Sequence, residues 1–300
     1  MKLFVLLLVC VMTAPAHAQV PTDEPLRIIS IFAHPDDADS KMGATAAMMA
    51  DMGHKVKFVS ITNGNAGHFE EGGGVLGQRR RAESQDAADE LGIDSYKVLD
   101  YHDAELEPHL HIRKDVIREI RKWEADVVLG LRPNDYHPDH RYAGVLVMDA
   151  AYMVIVPNTV TDTPALERNP VFLFMQDRFK RPYPFQKDVV VGFDEEYMDR
   201  KMRGLAAHES QMFEWLPWVA GTLEEVPDGE EERLEWLYEW RSQRDRIDGE
   251  EEIIEGLNKW YGEDQASDFD YAEFFEIAEY GHQPSEEELR MIFPMLEPSE

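Results

Sequence analysis

The chain has 300 residues, 43% of them hydrophobic, with 60 acidic residues against 30 basic ones, so it can bury a full core while carrying a formal net charge of -30. That charge repels nucleic-acid phosphates and anionic membrane surfaces, which excludes nucleic acid as an expected partner, and it suits solubility at high salt, where self-repulsion is screened. The one cysteine, Cys10, leaves the rest of the chain without a disulfide or a thiolate, so any metal must be held by His and carboxylate.

In chain order, Lys2, the apolar stretch Leu3 to Met12, and Ala16-His17-Ala18 ahead of Gln19 form the charged, hydrophobic and small-residue sections of a secretory signal. The sequence therefore predicts a signal peptide over residues 1–18 and export to a periplasmic or extracellular location. Val9 fits poorly before a lipid-modified Cys10, and no later apolar run is long enough to span a bilayer.

From Arg27 to about Ala151, short β-branched or apolar runs alternate with longer segments of helical spacing. Runs at 27–32, 56–61, 95–99 and 126–131 predict strands, and 41–52, 78–91, 111–123 and 138–153 predict helices. This order specifies an α/β fold, a mostly parallel sheet with helices on both faces. Met52-Gly53 and Leu91-Gly92 read as helix ends. Residues 157–170 read as a loop, Val171 to Met175 and Val189 to Val191 as short strands, and 195–212 as a helix, which completes an α/β domain over 19–212. Beyond it, acidic and aromatic residues dominate. Leu234, Leu237, Tyr238 and Trp240 supply an apolar face, predicting a helical acidic C-terminal appendage over 213–300.

Two motifs carry the chemistry. His34-Pro35-Asp36-Asp37 follows the apolar run Ile28 to Phe32, and His137-Pro138-Asp139-His140 follows Val127 to Leu131. Ends of parallel strands line the crevice where open α/β sheets bind ligands, so both motifs belong to one site. Within each, the outer residues are three apart, and a single helical turn brings such a pair to one side. Three ligands drawn from His34, Asp37, His137 and His140 would hold a divalent metal and leave a position for water. Asp36 is then the spare carboxylate for general-base work, and a protonated His137 oriented by Asp139 would support the oxyanion and the leaving nitrogen. Taken singly, each His-Pro-Asp is an ordinary helix-start sequence. Their joint placement favours function, because burying so many ionisable groups together is costly without a compensating metal.

At these residues the chain resembles the PIG-L/LmbE-like family of zinc-dependent N-deacetylases. The resemblance runs through Ala33 to Asp39 with Gly43, Thr62-Asn63-Gly64, Arg80 and Glu83 leading to Leu91-Gly92, Arg132-Pro133 through His140, and more weakly Lys201 through Gln211. It covers residues 27 to 212 and leaves the acidic C-terminal part outside. It implies a Rossmann-like sheet and removal of acetyl from an N-acetylglucosamine-type amino sugar or conjugate. By motif it implies His34, Asp37 and His140 as zinc ligands, Asp36 as base, His137 with Asp139 as the acid or electrostatic pair, and Arg80 and Asp103 as holders of sugar hydroxyls. Asp39 stands where the family usually has Glu, which puts contacts there in question.

Other signals are weaker. Gly72 to Gly77 matches a dinucleotide-binding glycine pattern, but no strand abuts it and Glu70-Glu71 would repel a pyrophosphate, so it reads as a flexible loop free to cover the crevice. His208 is balanced between a structural residue and a substrate contact. His68, His102, His109 and His111 read as rim residues, and Arg79 and Arg81 as a solvated helix face. Trp215, Trp218, Trp236 and Trp240 read as packing within the appendage rather than as sugar platforms.

The sequence thus predicts an exported Zn2+-dependent N-deacetylase acting on a small amino sugar or glycoconjugate. Ligand type alone does not separate zinc from another divalent ion, and homo-oligomerisation stays open. The alternatives are a metal hydrolase of another amide or ester, and a non-catalytic exported sugar-binding module.

Overall fold

A computed structural model describes Val20 and residues 25–296; the secretory segment expected at 1–18 lies outside the described residues. The first half alternates strand and helix: β1 (Arg27–Phe32), α1 (Asp37–Asp51), β2 (Lys55–Thr62), α2 (Gly73–Leu91), β3 (Ser95–Tyr101), α3 (Leu110–Trp123), β4 (Val127–Gly130) and α4 (Pro138–Ala151). β5 (Val171–Met175), β6 (Val189–Phe193) and α5 (Glu195–Ala207) follow, and a π-helical turn over Ser210–Trp215 leads into α6 (Leu216–Ala220). Then come α7 (Glu230–Arg241), α8 (Glu251–Tyr261), α9 (Glu263–Ala266), β7 (Tyr271–Gly281) and α10 (Glu286–Ile292). No helix among the described residues is long and apolar enough to cross a membrane.

The strands form one sheet in the order β3-β2-β1-β4-β5-β7-β6. β1 to β5 pair in parallel, whereas β7 is antiparallel to both β5 and β6. The chain moves outward from β1 in one direction through β2 and β3, then returns to place β4 on the other side of β1. The strand order therefore reverses between β1 and β4, where a crevice opens at the carboxyl ends. Buried β1 and β4 read as near-continuous apolar runs because helices cover both faces.

The helices begin earlier than periodicity indicates. α1 starts at Asp37 rather than 41, and α2 at Gly73 rather than 78, so Gly72 to Gly77 is not a lid loop: Gly73 donates to Asn65 O and opens a helix. The helix expected over 195–212 breaks at His208. The larger correction concerns residues 213–300, which are not purely helical, since β7 lies inside the sheet between β5 and β6. Its sequence hides this because Glu273, Glu276 and Glu279 interrupt its apolar run, and the two buried ones, Glu273 and Glu276, have cationic partners from elsewhere, Lys201 at 2.8 Å and Arg132 at 3.6 Å.

Glu273 also reaches α1. That helix has a non-helical residue at Met42, which frees amide donors just beyond it; Glu273 accepts from Thr45 N at 2.8 Å and from Ala44 N at 3.3 Å. Lys201 Nζ joins Glu273 to Asp245 at 2.5 Å, with all three side chains almost wholly removed from water. The C-terminal segment is thereby locked to the helix that begins with Asp37. Replacing Lys201 by Met leaves two buried carboxylates facing each other, so Lys201→Met should cost about 3–5 kcal/mol in denaturant unfolding. A loss below about 1 kcal/mol would show that this network contributes little.

Candidate metal centre and active site

β1 delivers His34 to the crevice and β4 delivers the second motif through a short turn. Asp37, the first residue of α1, accepts the N–H groups of His34 at 2.9 Å and Ala33 at 3.2 Å on Oδ2, which leaves Oδ1 facing His140 Nε2 at 3.2 Å. His34 Nδ1 lies 3.1 Å from His140 Nε2 and 3.8 Å from Asp37 Oδ2. Ligands on a tetrahedral cation with bonds of about 2.0–2.1 Å stand roughly 3.3 Å apart; the His34–His140 pair and the His140–Asp37 Oδ1 pair have this spacing, while the Asp37 oxygen that lies 3.8 Å from His34 is the other one, Oδ2. His34, His137 and His140 also converge, each offering a nitrogen within 4.8 Å of the others.

Carboxylates stand behind two of the rings. His34 Nε2 is 2.9 Å from Asp103 Oδ1, off the line of an ideal hydrogen bond, and 3.4 Å from Asp139 Oδ2. His140 Nδ1 is 3.0 Å from Asp135 Oδ1. Such partners fix the tautomer and raise the basicity of metal-binding imidazoles.

The electrostatics follow. Burial disfavours a charge on His34, yet Asp103, Asp139 and Asp37 raise it to about 10. Burial likewise opposes charge on His140, and Asp37 and Asp135 raise it to about 9. Asp37 is pushed up by burial but held well below the usual carboxylate range by His140 and His34. His137 lies among these groups with its pKa lowered by burial and by the neighbouring His34 and His140. Asp36 is raised by burial, with Arg80 opposing. Its backbone sits at φ 140°, a strained conformation for a residue with a side chain, worth about 1–3 kcal/mol and typical of functional turns.

Several sequence expectations change here. Asp139 does not orient the His137 ring: its carboxylate accepts from Ala104 N at 2.7 Å and Leu106 N at 3.3 Å and faces His34. Instead, Asp139 N–H donates to His137 Nδ1 at 3.2 Å, because His137 caps α4. Asp103 stands behind His34 and accepts from Ala66 N at 3.3 Å, and it also lines the cavity. Arg80 is buried, and its terminal nitrogens donate to Pro35 O at 2.8 Å, Gly64 O at 3.3 Å and Asp36 Oδ1 at 3.3 Å, so it braces the turn that carries Asp36 while also lining the cavity. A side chain at position 64 would lie 2.3 Å from Arg80, and φ there is +66°, so glycine is required. His208 has no exposed surface and lies 3.3 Å from Asp39, which accepts from Tyr96 at 2.9 Å; neither faces the cavity.

The cavity over the centre has a volume of about 280 Å³ and is bounded by His34, Asp36, Asp37, His137 and His140. Asp135, Tyr136 and Gln211 lie within the stretches that carry the resemblance but received no role from it, Leu216 lies beyond them, and Trp215 read as packing although it lines this cavity; Asp135 lines the adjoining one. Asp135 was within reach, since it stands five residues before His140 in the same turn. Leu216 comes from a distant segment, where neither spacing nor residue type marks it. His68 lies 2.9 Å from Glu214, and His109 stacks on His111 at 5.7 Å, outside the centre.

Residues 29–151 match the PIG-L family, described as GlcNAc-PI de-N-acetylase. The diacetylchitobiose deacetylase of Thermococcus kodakarensis is 29% identical over 205 residues, covering 66% of this chain and 75% of that protein. The solved structure of N,N'-diacetylchitobiose deacetylase from Pyrococcus horikoshii superposes with a TM-score of 0.60 at 23% identity, covering 84% of this chain and 83% of that one. The 4-carboxy-2-hydroxymuconate hydratase GalB from Pseudomonas putida superposes with a TM-score of 0.61 at 18% identity, covering 87% and 98%. At these identities the superpositions establish a shared fold.

With His34 at about 10 and His140 at about 9, both rings hold protons at pH 7.5 when no cation is bound. A cation must displace them, so zinc binding should release about two protons and its apparent affinity should climb as pH rises toward 9–10. Calorimetry in buffers of different ionisation enthalpy measures this; release of fewer than about half a proton would refute the ligand pair.

Proposed function

We propose that this chain, a PIG-L family protein through residues 29–151, is a metal-dependent N-deacetylase that removes an acetyl group from an N-acetylglucosamine-type amino sugar or conjugate. The observation that carries the reading is one crevice holding a three-donor cradle together with a separate, strained carboxylate, Asp36, that the cradle does not use. The similarity to a diacetylchitobiose deacetylase supports the substrate class.

His34, Asp37 and His140 would hold the cation, with Asp103, Asp135 and Asp139 orienting the rings. Zinc suits a small N2O set, and other divalent ions share the ligand preference. When bound, such an ion supplies a water acidified to near neutrality and polarises the acyl oxygen. Asp36, anchored by Arg80 and raised by burial, takes the water's proton and returns it to the leaving nitrogen. His137 plays a different part from a protonated acid. With its pKa lowered and Nδ1 accepting from Asp139 N–H, the neutral ring carries its proton on Nε2, as a donor to the developing oxyanion. Acetate and a free amine result.

We also propose export, on the basis of the segment Lys2 to Ala18, and an amino-sugar substrate with no nucleic-acid partner. Hydration of an alkene is a second reading, because a hydratase shares this fold; acetate assay of a panel of N-acetylglucosamine conjugates with zinc-reconstituted protein decides between them.

Asp36→Ala should lower kcat by about 10²–10⁴-fold with a full complement of metal retained. His137→Ala should cost about 10²–10³-fold in kcat, again with metal retained. By contrast, His34→Ala and His140→Ala should lose the metal. Metal analysis alongside kinetics separates the cases: loss of metal from His137→Ala would place that ring in the cradle, and near-normal turnover by Asp36→Ala would remove it as the base.

A further inference from the structure

A second cavity of about 590 Å³ adjoins the first and shares Asp36, Asp37, Tyr136 and His140 with it. In a chain with twice as many acidic as basic residues, its wall gathers Lys41, Arg178, Arg241 and Arg244. Arg178 reaches Glu250 at 3.5 Å. Lys41 donates to Gln176 O at 3.1 Å, and Arg241 donates to Ser40 Oγ at 3.2 Å. Among the described residues, no carboxylate stands within ion-pair distance of Lys41, Arg241 or Arg244.

Arg241 is the informative member. It is only 5% exposed, rests against the Trp240 ring at 5.1 Å, and its buried Nε has no acceptor. A buried guanidinium with an unmet donor is costly, and burial together with the neighbouring Arg244 lowers its pKa to about 10. Asp36 and Asp245 on the same wall offset this only in part, and no carboxylate there bonds to Arg241. Asp177 is held by two 2.6 Å bonds from Arg132, and Asp245 by Lys201 and Gln176. Asp135 serves His140, and Asp36 and Asp37 belong to the catalytic crevice.

We propose that this cavity is a subsite for an anionic group, carboxylate or phosphate, on the substrate. Arg241 is its buried anchor and Arg244 and Lys41 complete the cationic wall. Ser40, the partner of Arg241, lies three residues beyond Asp37 on α1, about 4.5 Å along the helix axis. The anion would sit beside the acetamido-bearing sugar and not on it. Arg241 and Arg244 belong to the C-terminal segment outside the family match, so this segment would set the choice of conjugate. The proposal rests on the deacetylase reading and narrows its substrate to acidic amino-sugar conjugates.

The test measures calorimetric affinity of the zinc-loaded full chain for three probes: the carboxymethyl β-glycoside of N-acetylglucosamine, the corresponding carboxamide, and the 2-(phosphonooxy)ethyl β-glycoside of the same sugar. An anionic probe should bind at least about tenfold more tightly than the carboxamide, and the probe favoured tells carboxylate from phosphate. Arg241→Gln should collapse that ratio to below about threefold. Arg244→Gln, at an exposed position that does not threaten folding, should reduce it part of the way. Equal affinity for all three probes, or a ratio unchanged in both variants, overturns the subsite. Acetate release is scored separately: anionic preference without acetate would reject the deacetylase reading and leave the anion subsite standing.

Discussion

The constraint on which the structure depends is the burial of His34, Asp37 and His140 together with Asp36, Asp103, Asp135 and Asp139 at the ends of two adjacent strands. Carboxylates removed from water at this density need positive charge beside them. Arg80 supplies one share at Asp36. The remainder comes from protons on His34 and His140 or from one divalent cation, and these carry the same total charge. The cradle can therefore keep one geometry in both states, and its readiness for a dication is built into the carboxylates behind the rings. Those carboxylates also explain the local backbone. Asp139 takes two amides of the loop after β3, and Asp37 takes two amides at the end of β1, so each loop is fixed by a group that also sets the charge of the site.

The C-terminal segment is part of this arrangement. β7 closes the gap between β5 and β6, and Glu273 from that strand caps the broken turn of α1 while pairing with Lys201. α1 begins with a ligand residue, so a strand more than two hundred residues away in sequence steadies the helix that presents Asp37. The π-helical turn and α6 bring Gln211, Trp215 and Leu216 over the cavity. On the opposite side, Gly144 of α4 lets that helix approach the backbone after β4, where a methyl group would lie 2.5 Å from Leu131 O. The second motif therefore starts close against the sheet, within reach of His34.

How much of this is legible in the sequence depends on whether a feature is local. The strands β1 to β4 and their helices follow from periodicity, since each buries its own pattern against the sheet. The pairing of the two motifs follows from their position after strands. β7 was not legible because Glu273 and Glu276 break its apolar run, and their neutralising partners, Lys201 and Arg132, are remote in sequence. Arg80 and Asp103 line the cavity as their place in the sequence suggested, but residue type and order cannot show that they also brace the Asp36 turn and back the His34 ring. The same limit applied to His137 and Asp139, adjacent enough to suggest a side-chain pair, yet joined through a backbone amide at the start of α4.

An overall charge of -30 at first argues against an acidic substrate. Long-range repulsion and local recognition act on different length scales, however. At an ionic strength near 0.15 M the field of surface carboxylates decays over about 8 Å, so it mainly slows encounter. Inside the cavity the screening is weaker, and what an anion meets there is the nearest unpaired charge. Arg241 is buried without a carboxylate bonded to it, whereas the acidic groups around it are already paired with Arg132, Lys201, Arg80 or the histidines. The acidic surface then works as a filter that slows approach of anions in general, and the buried guanidinium rewards those whose acetamido group also reaches Asp36. Higher salt relaxes the filter more than the subsite, because only the exposed charges lose most of their reach.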